Sequence, residues 1–91
     1  EVEAVLDEIP GIAESAVIGV PHADMGEAVV AVVKATDPTL DADRVIAALA
    51  DRLARFKQPR AVVFVDELPR NTMGKVQKAL LRQEYAALFA S

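Results

Sequence analysis

The chain has no cysteine and no tryptophan, a single histidine, and only 4% aromatic residues. Without cysteine there is no disulfide framework, no zinc–thiolate site and no thiol nucleophile, and a reducing compartment is compatible. One histidine leaves too few soft ligands for an expected metal site. No apolar run approaches the roughly 20 residues that span a bilayer, and no secretory signal precedes the first element. The expectation is a soluble, cytoplasmic protein with no membrane partner.

What is present is aliphatic. Hydrophobic residues make up 53% of 91 residues, enough for one small domain with a modest core of Val, Ile, Leu and Ala. The chain opens on Glu1-Val2-Glu3-Ala4 with no initiator methionine and no capping residue, as expected of a piece of a longer protein. The net charge of −4 is unevenly spread: residues 1–51 hold two basic against eleven acidic residues, and residues 52–82 hold eight basic against two acidic. Two readings stand: lopsided solvated faces, or a basic C-terminal part that meets an anion such as phosphate.

Val2, Val5, Leu6 and Ile9 recur at helical spacing and stop at Pro10-Gly11, which predicts a short first helix. Glu14 to Val20 reads as a strand, Pro21-His22-Ala23-Asp24 as a turn, and the β-branched run Glu27 to Lys34 as a second strand antiparallel to the first. Asp41 is a helix cap, and Val45, Ile46, Leu49, Leu53 and Phe56 form one stripe of a helix expected to end at Lys57-Gln58-Pro59. Arg60 to Val65 is a third strand. Val76, Leu80, Leu81, Tyr85 and Leu88 give a last helix. The order α-β-β-α-β-α predicts an α+β fold, a small three-stranded sheet with helices packed against it, and the crossover between the last two strands allows a mixed sheet.

Three places carry possible chemistry. Lys75 follows Pro69-Arg70-Asn71-Thr72-Met73-Gly74 and stands at the expected mouth of the last helix, where a cation opposes the helix dipole unless an anion or a neighbouring surface compensates it. The plain alternative is an idle, exposed lysine. A phosphate-binding P-loop is excluded, since Pro69 takes its first glycine position and Val76 its hydroxyl position. Phe56-Lys57-Gln58-Pro59-Arg60 puts a ring beside cations, suited to stacking a base and meeting a phosphate, or Phe56 simply continues the core stripe. His22 is assigned no catalytic role. No carboxylate pair or nucleophile triad can be assembled.

Three segments, in this order and spacing, resemble a known family. Val17-Ile18-Gly19-Val20-Pro21-His22-Ala23-Asp24-Met25-Gly26-Glu27 is similar to "Val-Gly-x-Pro-Asp…Gly-Glu", with His22 where many members carry aspartate. Leu53-Ala54-Arg55-Phe56-Lys57-Gln58-Pro59 is similar to "Leu-Ala-x-Tyr/Phe-Lys-x-Pro". Leu68 to Lys75 is similar to the final "Pro-x-x-x-x-Gly-Lys" motif. The family is the adenylate-forming enzymes, which comprise acyl- and aryl-CoA synthetases, luciferases and peptide-synthetase adenylation domains. Residues 1–91 resemble its small C-terminal lid domain, closest in flavour to malonyl-CoA synthetases.

The resemblance implies a partner, the large N-terminal domain of the same enzyme, and an acid–thiol ligase reaction. A carboxylic acid and ATP give acyl-adenylate and pyrophosphate, and CoA then displaces AMP. ATP and CoA are substrates, with Mg2+ held through the N-terminal domain. The resemblance makes Lys75 the adenylation lysine, places CoA contacts at Phe56, Gln58 and Arg60, and makes Lys75 a target for a protein lysine acetyltransferase. The alternative is a freestanding module whose basic segment holds RNA or another polyanion; few aromatics and an acidic chain argue against it, so no nucleic acid is expected.

Overall fold

A computed structural model describes residues 2–24 and 26–89. Glu1, and Met25 of the first family-like segment, lie outside the described residues. The order is α1 (Val2–Asp7), β1 (Ile12–His22), β2 (Gly26–Ala35), α2 (Ala42–Leu49), a 3-10 turn (Arg55–Lys57), β3 (Ala61–Phe64) and α3 (Lys78–Glu84). The sheet order is β1-β2-β3, with β1 antiparallel and β3 parallel to β2. The expected α+β class and element order hold, and the sheet is mixed.

The β-branched run of β2 explains the layering. Because side chains alternate across a strand, Val30 and Val32 face one side and Ala31 and Val33 the other, and all four are fully buried. Ala31 and Val33 pack with Leu6, Val45, Leu49, Leu53 and Val62 in one core beneath α1 and α2. Val30 and Val32 pack with Ala16, Ile18, Val20, Leu68 and Leu81 in a second core beneath α3. Burying each large aliphatic side chain contributes about 1.5–3 kcal/mol. The sheet therefore has two working faces, and everything on α2 lies on the opposite side from α3.

β1 runs two residues beyond the predicted end, because Pro21 and His22 still pair with Glu27 and Gly26. The N–H of Val17 points away from β2, where the Glu3 carboxylate accepts it at 2.8 Å. Pro21 lies four residues on in the same phase, so its missing N–H falls on the outer edge and removes no ladder bond. Gly26, where β2 begins, has a φ of 74°, which suits glycine.

Two helix boundaries differ from expectation. α2 is capped as predicted, with the Asp41 carboxylate accepting the Arg44 N–H at 2.8 Å, but it ends at Leu49, not at Lys57. Leu53 stays in the core through one more turn, its N–H bonding the Leu49 carbonyl. Ala54 then turns extended, with ψ at 149°, and the following residues leave the stripe. α3 starts at Lys78, because Val76 pairs with Arg70 in an antiparallel bridge and the Gln77 N–H bonds the Pro69 carbonyl. No helix among the described residues is long and apolar enough to cross a membrane.

Electrostatics tie the helices to the strand edge. Glu3 accepts from Val17 and pairs with Lys78 of α3 at 2.8 Å. Burial pushes its carboxyl up, but the Lys78 hydrogen bond, the Val17 N–H and the Lys78 charge outweigh this and hold it below the ordinary 4.5. Such a group stabilises the fold fully above its unfolded value, and the contribution is lost as pH falls through the lowered folded value. Both side chains are 37% exposed, so solvent screening limits the effect; it is worth at most about 1 kcal/mol. The thermal midpoint of Glu3→Gln should accordingly lie below that of the parent near neutral pH, with the gap closing below pH 4.5. Melting curves across that range check this, and a gap independent of pH would contradict it.

Candidate functional site

Leu68 is buried, and from it the chain enters a tight hairpin that carries Lys75. Arg70 and Val76 form its base, the Asn71 N–H bonds the Lys75 carbonyl at 2.9 Å, and the Gly74 N–H bonds the Asn71 carbonyl at 3.0 Å. Asn71 fills the interior as well: its Oδ1 accepts the N–H of Met73 at 2.9 Å and that of Lys75 at 3.0 Å. This is the local side-chain-to-backbone bonding that suits asparagine to turns. Gly74 has φ +83°, a left-handed conformation that strains any side chain even though the space beside it is open.

The predicted setting of Lys75 thus changes. It is not at a helix mouth, because the hairpin separates it from the first residue of α3, and the helix-dipole argument does not apply. It is instead an exposed residue at the end of a hydrogen-bonded hairpin, beside Met73, which is 85% exposed. Among the described residues its side chain pairs with no carboxylate.

The second place is a groove of about 840 Å³ on the α2 face. Ile46, Ala50 and Leu53 form one wall, Val29 and Glu27 the floor, and the corner from Arg55 to Arg60 the other wall. The Arg60 N–H bonds the Val29 carbonyl at 2.8 Å, which fixes the corner to the sheet. Phe56 is 79% exposed, so the core alternative for this ring is excluded. Its exposure follows from the early end of α2: beyond Ala54 the helical stripe no longer aims inward. The Lys57 ammonium stands 5.7 Å from the ring centroid, within cation–π range.

Gln58 does something the sequence did not reveal. Its amide nitrogen donates to the carbonyls of Leu49 at 2.8 Å and Leu53 at 2.9 Å, closing the C-terminal end of α2. Its Oε1 is buried with no partner among the described residues. Gln58 therefore lines the groove while holding its wall; losing it leaves the Leu49 carbonyl with backbone donors but takes the side-chain donor from the Leu53 carbonyl, at a cost of about 1 kcal/mol. The structure brings Phe56, Gln58 and Arg60 together in this groove and leaves Lys75 outside its lining, on the hairpin that packs through Val76 against the opposite core. His22 packs its ring 5.0 Å from Phe89 and accepts the Asp24 N–H through Nδ1, a structural setting.

A sequence profile of the AMP-binding enzyme C-terminal domain matches residues 1–75, ending on Lys75. The chain belongs to that family. Its curated relatives include a methyl-dioxo-octahydro-indenyl-propanoyl:CoA ligase of Rhodococcus jostii, 55% identical over 92% of this chain and 16% of the ligase. An indoleacetate–CoA ligase of Aromatoleum aromaticum is 51% identical over 91% of this chain and 16% of its own length. Among solved structures, ATP-bound MatB from Rhodopseudomonas palustris superposes with a TM-score of 0.93 at 53% identity, covering 97% of this chain and 18% of MatB. The chain thus spans less than a fifth of these relatives. In this AMP-binding C-terminal domain no group of three or more His, Cys, Asp or Glu among the described residues is placed to hold a metal ion.

The hairpin's rigidity is open to direct measurement. Asn71→Ala removes the acceptor of two amides, each bond worth about 1 kcal/mol, so exchange at Met73 and Lys75 should rise about fivefold or more while global stability changes little. Asn71→Asp keeps the acceptor and should stay near the parent. Unchanged exchange in Asn71→Ala, followed by NMR, would contradict the hairpin geometry.

Proposed function

We propose that this domain is the lid of an acyl-CoA synthetase. It works against a large N-terminal domain that binds ATP and the carboxylic acid, and Lys75 serves the adenylation step. The observation that carries this is the exposed lysine, paired with no carboxylate among the described residues, at the end of a hairpin bonded by Asn71 and turned at Gly74. Docked against the nucleotide-bearing domain, its ammonium holds the carboxylate against the α-phosphate and offsets the charge that develops as the carboxylate oxygen bonds phosphorus and pyrophosphate leaves. The exposed Met73 beside it adds an apolar tip that gains from burial on docking.

The groove serves the second step. The CoA thiol attacks the acyl carbonyl and AMP leaves; the adenine of CoA stacks on Phe56 and Arg60 meets one of its phosphates. Gln58 supports this site by capping α2 and keeping the corner in place. Lys75 and the groove lie on opposite faces of one sheet, which favours a lid that presents one face for each half-reaction and withdraws the lysine before thioester formation.

The malonyl-CoA synthetase flavour of the sequence belongs to the lid alone. Relatives of nearly equal identity are named for an indenyl-propanoate and for indoleacetate, so the lid reports the shared adenylate chemistry and not the acid. ATP and CoA as substrates imply a cytoplasmic enzyme. Exposure of Lys75 also makes it reachable by a protein lysine acetyltransferase; acetylation removes the charge that adenylation needs and gives the cell an off switch.

Two measurements on the full-length enzyme test the assignments. Lys75→Ala should lower acyl-adenylate formation about a hundredfold or more while CoA attack on supplied adenylate survives. Phe56→Ala should do the reverse and raise the KM for CoA. Adenylation unaffected by Lys75→Ala would sink the lysine assignment, and Lys75 left unmodified by acetyltransferase and acetyl-CoA, as mapped by mass spectrometry, would sink the switch.

A further inference from the structure

The peptide unit joining Gly74 to Lys75 is held at both ends. Its N–H is bonded by Asn71 Oδ1, and its carbonyl oxygen accepts from Nη1 of Arg70 at 2.6 Å. The same guanidinium reaches away from the hairpin and donates through Nη2 to the Glu14 carboxylate on β1, 56 positions earlier in the chain. Glu14 is backed in turn by Lys34 of β2, 3.6 Å from its other oxygen, and Lys34 donates to Glu67 at 2.9 Å. Glu14, Ala16, Ile18 and Val20 share a face of β1, so this chain of charges stands at the end of the α3-side core, under the hairpin.

We propose that Arg70, anchored by Glu14, is the positioning residue for Lys75. The plane of the 74–75 peptide sets the direction in which the Lys75 side chain leaves the backbone, and Gly74 by itself restrains that plane least of all residues. Arg70 fixes the carbonyl end and refers it to β1 and β2, the rigid part of the fold. A planar fork with several donors can take a carboxylate and a carbonyl at once, whereas a lysine ammonium on a flexible stem cannot hold the same geometry. Arg70 and Glu14 are 41% and 30% exposed. Exposed pairs add little to stability, so the signature of this device is a loss of rate without a loss of fold.

The proposal rests on Lys75 acting in adenylation, and the experiment separates the two. In the full-length enzyme, Arg70→Met should lower adenylate formation about tenfold to a hundredfold, the scale of a small misplacement of a reacting group. Thioester formation from supplied adenylate should stay within about twofold and the thermal midpoint should hardly move, since the pair is exposed. Arg70→Lys should recover only part of the rate. Glu14→Gln leaves the Arg70 donor to the Gly74 carbonyl in place but removes its charged anchor, so its rate should lie between those of the parent and Arg70→Met. Full recovery in Arg70→Lys, or normal adenylation in Arg70→Met while Lys75→Ala abolishes it, would overturn the proposal. Normal adenylation in Lys75→Ala would overturn the underlying assignment and the proposal with it. Faster amide exchange at Lys75 in Arg70→Met, read independently of activity, would support the positioning role, and unchanged exchange would overturn it.

Discussion

Burial of β2 on both faces is the constraint on which the rest depends. Val30 and Val32 demand cover on one side, Ala31 and Val33 on the other, and a strand buried twice cannot sit at the surface of a single-layer fold. α1 and α2 supply one cover and α3 the other. The consequence for function is geometric: segments that end against α2 and segments that lead into α3 emerge on opposite sides of the same thin sheet. A corner with an exposed ring and a hairpin with an exposed lysine are thereby kept apart by the core itself.

Each of the two places is made rigid by hydrogen bonds, not by burial. In the hairpin the bonds come from Asn71 and Arg70; at the corner they come from Gln58 and the Arg60 backbone. Local bonding of this kind leaves Phe56, Met73 and Lys75 outside the core while fixing the backbone that carries them. That combination is costly in an isolated domain, because apolar surface stays in water, and it makes sense where a second surface comes to cover it.

Much of this was legible in the residues. The β-branched runs placed all three strands, and Asp41 placed the start of α2, because strand alternation and capping are local effects. The end of α2 was not legible: Leu49, Leu53 and Phe56 keep helical spacing, yet the chain turns at Ala54 and a distant side chain, Gln58, takes the freed carbonyls. Periodicity cannot report a cap that arrives from nine residues on. For the same reason it placed Phe56 ambiguously between core and ligand. Lys75 stands out from its neighbours in the sequence, but local pattern predicts a helix mouth where the structure has a hairpin; the Pro-Arg-Asn-Thr-Met-Gly run already holds the turn chemistry, and only the partner of Arg70, far back at Glu14, lies beyond local reading.

On the proposed function, one small domain presents two opposed faces in turn. Residues 1–91 hold no cysteine, so a single thiol can be placed on each face of this domain, Met73→Cys on the hairpin and Arg55→Cys at the groove, and its alkylation in the full-length enzyme followed by peptide mapping, which separates it from any thiol of the large domain. With ATP and carboxylate bound, the thiol at 73 should be protected and the thiol at 55 reactive; with an adenylate analogue and CoA bound, the pattern should reverse. Protection that rises and falls together at both positions, or at neither, would contradict the account.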